Sequence, residues 1–229
     1  MLSAGERSQP HATIVDTVSK ARIMPNIAAN GTNGVTSSTS KPAQMQHIWV
    51  VTGPAGCGKS TVGNVLRTEL GIPFLEGDDF HPAANKDKMG KGIPLTDEDR
   101  WDWLISLRQA AINALSPSEA NNFHPPAGVV VACSALKQKY RDVMRVAAYG
   151  SSLVQIHFVY LKLTEDVLLQ RVSQRQSHYM KSSMVQSQLA VLEEPKGEWD
   201  AITINVEGTM EDVHRNVIDA VTEKLAEYK

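Results

Sequence analysis

The sequence predicts an α/β fold, a parallel sheet with helices on both faces, and three observations carry that prediction. A loop of phosphate-binding type, Gly53-Pro54-Ala55-Gly56-Cys57-Gly58-Lys59-Ser60, lies between an apolar run of strand length and a helical pattern. Strand-like and helical segments alternate from residue 47 to the C-terminus. Gly128-Val129-Val130-Val131-Ala132 is apolar without alternation, as expected of a strand covered on both sides.

The first predicted strand covers residues 47–52 and the helix after the loop covers 61–70. Between them, glycines let backbone N–H groups close around phosphate oxygens, and the helix N-terminus adds partial positive charge. Lys59 is placed to reach the β- and γ-phosphates and the Ser60 hydroxyl to ligate Mg²⁺. Cys57 occupies one of the free loop positions as a filler, not a nucleophile. The chain is therefore expected to bind a nucleoside triphosphate.

Further strands are expected over residues 72–75, 128–132, 154–161 and 201–206. Thr96-Asp97-Glu98-Asp99 reads as an N-cap with acids in the first turn, opening a helix with Trp101, Leu104, Ala111 and Leu115 at helical spacing. Thr164-Glu165-Asp166 and Thr209-Met210-Glu211-Asp212 read as two more helix starts. The last helix carries Met210, Val213, Val217, Val221 and Leu225 on one side, then Tyr228. Residues 117–126, bounded by prolines, read as an exposed loop.

The bulk properties bound the function. The 229 residues suit one domain plus a tail, and 42% apolar residues suffice for a core. A net charge of −2 gives no electrostatic case for nucleic acid. Two cysteines, Cys57 and Cys133, form no disulfide framework and fit a reducing, cytoplasmic setting. No apolar run reaches about 18 residues, so no membrane span is expected, and no apolar stretch near Met1 suggests a secretory signal. Residues 1–45 are small, polar and unpatterned and are expected to be disordered, leaving 46–229 as the folded domain. A presequence would be rich in Arg and poor in acids, but this tail has Arg7 and Arg22 beside Glu6 and Asp16.

Ligands of open α/β sheets sit beyond the carboxyl ends of the strands, so the strand ends hold the candidate chemistry. The second strand runs into Glu76-Gly77-Asp78-Asp79-Phe80-His81-Pro82. Beside a triphosphate, Asp78 suits a base or substrate anchor and Glu76 an outer-sphere partner of Mg²⁺. Asp79 is a neighbouring acid, and His81 is either a ligand of substrate hydroxyls or a turn residue before proline. The third strand ends in Cys133-Ser134-Ala135-Leu136-Lys137. Lys137 and Arg141 then lie one helical turn apart, which suits an anionic ligand or an exposed basic helix. Arg171 and Arg175 are also four apart, and a polar break, residues 176–181, follows. Cations on such a mobile segment can close over a γ-phosphate.

Together these motifs resemble the gluconokinase family. The resemblance rests on Glu76-Gly77-Asp78-Asp79-Phe80-His81-Pro82, Asn85, Lys88-Met89, Gly92, Pro94-Leu95, Asp97 and Asp99-Arg100. It continues through Cys133 to Lys137, Tyr140-Arg141-Asp142 and Arg145, and through Gln188 and Leu192-Glu193-Glu194-Pro195. It implies a three-layer fold like those of shikimate kinase and adenylate kinase, with a five-stranded parallel sheet and a mobile lid. It also implies transfer of phosphate from MgATP to the 6-hydroxyl of D-gluconate, with a homodimer as one state of assembly. In its terms residues 53–61 (Gly53, Pro54, Ala55, Gly56, Cys57, Gly58, Lys59, Ser60 and Thr61) hold the triphosphate. Asp78, Asp79 and His81 face the sugar acid, and Arg100, Lys137 and Arg141 are candidates for its carboxylate. Arg171 lies over the adenine, Arg175 is the lid arginine, and Asn205 to Thr209 line the adenine pocket. Lys59, Asp78 and Arg175 are the catalytic set, and Ser60 and Glu76 the metal set.

The sequence departs from the family pattern at two positions. Ser177 stands where the lid usually has glycine, which puts lid speed in doubt, and Leu189 replaces an aromatic, which puts packing there in question. The alternatives are another small-molecule kinase of this fold, shikimate kinase-like, and a weakly catalytic nucleotide-binding paralogue. A GTPase would want Asn-Lys-x-Asp, and Asn85-Lys86-Asp87-Lys88 fails at its last position.

Overall fold

The computed structural model describes residues 44–174 and 182–228. The expected disordered segment lies outside these residues except for its last two positions. Arg175, Ser177 and the rest of 175–181 also lie outside them.

Five strands, β1 (Gln46–Thr52), β2 (Phe74–Glu76), β3 (Gly128–Ala132), β4 (Val154–Lys162) and β5 (Ala201–Asn205), form one sheet in the order β2-β3-β1-β4-β5. Every neighbouring pair is parallel, with Val51 of the central β1 level with Ala132 on one side and Val159 on the other. Alternation along the strands sorts the interior into two cores. Trp49, Val51, Val130, Val159 and Leu161 face α1 (Lys59–Leu70), α5 (Glu165–Gln174), α6 (Ser182–Ala190) and α7 (Met210–Ala226). Ile48, Val50, Val129, Val131, Ile156 and Phe158 face α3 (Asp97–Ala114) and α4 (Gln138–Arg145). The expected layers are thus present, and all of β3 is buried, as its unbroken apolar run requires.

Local signals acted as read at two helix starts. Thr96 Oγ1 accepts from the Asp99 N–H while Asp99 accepts from the Thr96 N–H, a capping box that opens α3. Thr209 caps α7 through the Asp212 N–H.

Two expectations need correction, and one helix was not foreseen. The second strand begins at Phe74, not Ile72, and runs through Glu76, which carries that carboxylate to the strand's carboxyl end. Met210 is 57% exposed and leaves the apolar stripe of α7, which begins at Val213. The helix α2 (Ala83–Gly90) was not foreseen, because only Asn85 in it is buried and it has no apolar stripe to detect.

At the amino end of the sheet, opposite the phosphate loop, His47 Nδ1 and His157 Nε2 lie 3.0 Å apart. His157 stacks on Trp49, and Tyr228 meets both imidazoles edge-on. Burial, with smaller contributions from His47 and Lys224, pushes the His157 pKa down to about 3. An unfolded histidine takes up its proton near 6.5 while the folded one does not. The stability that depends on the neutral ring is therefore full above about pH 6.5 and is lost as pH falls toward about 3. The melting temperature is expected to fall through that range, and His157→Phe to flatten the fall, measured by thermal denaturation at a series of pH values.

Candidate active site

The chain leaves β1 at Thr52, whose hydroxyl donates to the Ser134 carbonyl beyond β3 (2.5 Å). Gly56 sits at φ 89°, and a Cβ there would lie 2.5 Å from Val172 Cγ2, so the turn demands glycine twice over. Lys59, the first residue of α1, folds back over the loop and donates to the Gly53 and Pro54 carbonyls, both at 3.0 Å. Cys57 is buried, and burial pushes its thiol pKa up, which suits a filler.

Loop and acidic turn face one cleft of about 380 Å³. Ala55, Lys59, Ser60 and Thr61 line it together with Glu76, Asp78, Asp79, His81 and Arg100. Glu76 ends β2, and burial raises its carboxyl pKa, partly offset by a hydrogen bond with the Ser60 side chain. Two oxygen donors placed together beside the loop fit a hard divalent cation. Residues Gly77–Phe80 form a 3-10 turn that presents Asp78, whose side chain is 78% exposed to the cleft and solvent. Gly77 has no room for a side chain, since a Cβ would meet the Ala132 carbonyl oxygen at 2.2 Å.

Trp103 of α3 holds this turn from beneath. Its Nε1 donates to the Gly77 carbonyl (2.7 Å), and its ring stacks on His81 at 4.1 Å and 17°. Burial lowers the His81 pKa to about 4, against the opposing pull of Asp78, so the imidazole is neutral near pH 7. Arg100 Nη1 donates to the Leu95 (2.5 Å) and Thr96 (3.0 Å) carbonyls, and its guanidinium lies over the Tyr140 ring.

Among the expected anion ligands, Arg100 lines the cleft, and Lys137 and Arg141 do not. Lys137 is the N-cap of α4 and pairs with Asp97 at 3.0 Å. Arg141 turns inward, 2% exposed, to Glu198 and the Ala135 carbonyl (3.0 Å). The shared basic face expected of these two residues is not formed, because the Glu198 carboxylate, from the loop before β5, draws Arg141 under the helix.

A second cavity abuts the loop, lined by Gly56, Gly58, Thr61, Arg171, Val206 and His214 among others. Arg171 donates to the Cys57 (3.4 Å) and Val206 carbonyls. Asn205 is not among the lining residues, and its Oδ1 accepts instead from the Glu207 N–H (2.9 Å). Arg175 lies outside the described residues.

A family model described as an AAA domain matches residues 48–195. A protein of Schizosaccharomyces pombe named probable gluconokinase is 40% identical over 80% of this chain and 92% of its own length. The chain belongs to the gluconokinase family. A gluconokinase of Gluconobacter oxydans is 40% identical over 69% of this chain and 82% of its own. The crystal structure of a gluconokinase from Sinorhizobium meliloti superposes with a TM-score of 0.67 at 38% identity, covering 81% of this chain and 96% of the other.

Within this gluconokinase fold, sequence reasoning missed Trp103 and Lys86 as residues of the cleft. Trp103 falls outside the stripe read through Trp101, Leu104, Ala111 and Leu115, and nothing in its spacing marks a site-facing indole. Lys86, on α2, donates to the Asp79 carbonyl (3.1 Å). The Trp103→Phe variant keeps a ring against His81 but strips the Gly77 carbonyl of its donor. We expect it to lose about 1–3 kcal/mol of stability, read by denaturant unfolding.

Proposed function

We propose that this protein transfers the γ-phosphoryl group of ATP to the 6-hydroxyl of D-gluconate, giving 6-phospho-D-gluconate. The observation that carries the reading is that Lys59 and Asp78 line one cleft, with no protein layer between the cradle and the acidic turn. Phosphoryl transfer has a loose transition state, so positioning and charge compensation outweigh base strength.

In this reading the loop amides and Lys59 hold the β- and γ-phosphates. The base enters the second cavity beneath Arg171, along the chain that follows β5. Ser60 would ligate Mg²⁺, with Glu76 as its outer partner; bound there, the ion neutralises charge that develops on the transferred oxygens. Asp78 aims the 6-hydroxyl and takes its proton late. Asp79 and His81 face the remaining hydroxyls, His81 as a neutral hydrogen-bonding group. Arg100 is the cation we assign to the sugar-acid carboxylate, because it shares the cleft with Asp78 while Lys137 and Arg141 are engaged elsewhere. Arg175, from the segment after α5, would close over the γ-phosphate.

The test is ADP release measured with gluconate, shikimate, glucose and buffer. Stimulation by gluconate well above the other three is the expected result. Equal stimulation by shikimate, or none by gluconate, would overturn the assignment.

A further inference from the structure

The cleft is also lined by α6, which contributes Ser187 and Gln188. The helix is fixed on its other side: Val185 is fully buried in the core under the sheet, and Leu189 packs against the same cluster. Leu189 thus fills the place where the family has an aromatic. Just beyond the helix, the Glu193 N–H donates to the Leu136 carbonyl (2.8 Å), and Glu193 Oε2 accepts from the Gln138 N–H (2.7 Å). Gln188 is therefore presented from a firmly seated element.

Its side chain reaches the phosphate loop itself. Gln188 Oε1 accepts from the Ala55 N–H at 2.7 Å. An amide N–H can only donate, so this bond settles which end of the carboxamide is oxygen. The Nε2 group, with two donors, is left for the cleft. The position of Ala55 along the loop is the ground for assigning a phosphate to those donors. Gly56, Gly58 and Thr61 line both the cleft and the second cavity, whereas Ala55 and Gln188 line the cleft alone. The direction from base to acceptor thus runs toward Ala55. Lys59 Nζ, of the type that serves the outer phosphates, rests on the carbonyls of Gly53 and Pro54, the two residues just before Ala55.

We propose that Gln188 is a γ-phosphate ligand: its Oε1 is held by the loop at Ala55 and its Nε2 donates to the terminal phosphate of ATP. It adds neutral donors where charge accumulates during transfer. The proposal rests on the base and phosphate placement given above, and its consequence is discrimination between ATP and ADP.

The experiment compares binding of MgATP and MgADP to the full chain without gluconate, by titration calorimetry, for wild type, Gln188→Glu and Gln188→Met. Glutamate keeps an acceptor for the Ala55 N–H and replaces the donors with an anionic oxygen. We expect Gln188→Glu to weaken MgATP about tenfold or more and MgADP much less. Gln188→Met is expected to weaken MgATP by a smaller factor in the same selective way. Equal losses for both nucleotides, or no loss in Gln188→Glu, would reduce Gln188 to a structural contact and overturn the proposal. Melting temperatures near that of wild type exclude misfolding as the cause of a loss. Because gluconate is absent, an error in the sugar substrate leaves this test intact, and it shows separately as missing gluconate-dependent ADP release in the wild type.

Discussion

Asp78→Asn is expected to bind ATP as the wild type does and to lose turnover by about 10²–10⁴-fold, the range of a positioned acid–base group. The side chain stands on a 3-10 turn fixed from two sides. Gly77 is pressed against the Ala132 carbonyl, and Trp103 grips the Gly77 carbonyl. Asparagine fits the same space, so the turn should keep its shape. What changes is the loss of an anionic acceptor for the hydroxyl proton and the gain of an amide that can donate toward the incoming phosphoryl group. The effect should therefore fall on kcat, with the KM for ATP little altered. Wild-type-like turnover in this variant would remove Asp78 from the reaction and leave Asp79 as the acid to examine.

The second large effect is on stability. Glu198→Gln is expected to cost about 3–5 kcal/mol, because it strands a buried guanidinium. Glu198 accepts from Arg141 Nε (2.9 Å) and Nη2 (2.5 Å), and also from Arg145. Arg145 has further support from Asp200, itself fully buried, at 2.8 Å through two nitrogens. Once residue 198 is neutral, its carboxamide oxygen and the Ala135 carbonyl still accept from Arg141, but no carboxylate balances the guanidinium charge. A guanidinium cannot shed its proton to escape, so the charge stays buried. For a domain of this size the loss corresponds to a fall of about 10 °C in melting temperature. Differential scanning calorimetry would read it directly, and a shift under about 2 °C would mean that water reaches Arg141 and replaces the carboxylate.

These two residues mark what could be read in advance. The place of Asp78 in the cleft was legible, because an acidic turn that follows a strand of this sheet emerges at the same carboxyl end as the phosphate loop. Arg141 misleads for an equally physical reason. Its four-residue spacing from Lys137 is genuine, but spacing describes a helix's faces and not what packs against them. Glu198 is 57 positions away in the chain and meets Arg141 only because the loop before β5 folds beneath α4. Of the proposed substrate cations, Arg100 is singled out by a cleft whose walls come from several separate segments.

By itself, the sequence determined whatever depends on neighbours a few residues apart. The turn of the phosphate loop, the helix caps at Thr96 and Thr209, the unbroken burial of β3 and the strand–helix alternation all follow from backbone preference and local apolar period. The family pattern added the order of motifs along the domain. Only the tertiary structure decided which side chains meet: Gln188 with Ala55 across 133 positions, Trp103 with the Gly77 carbonyl, and Arg141 with Glu198 in place of a ligand. Those pairings follow from the order in which strands enter the sheet. That order reflects the burial of many residues at once, and no local segment of chain encodes it.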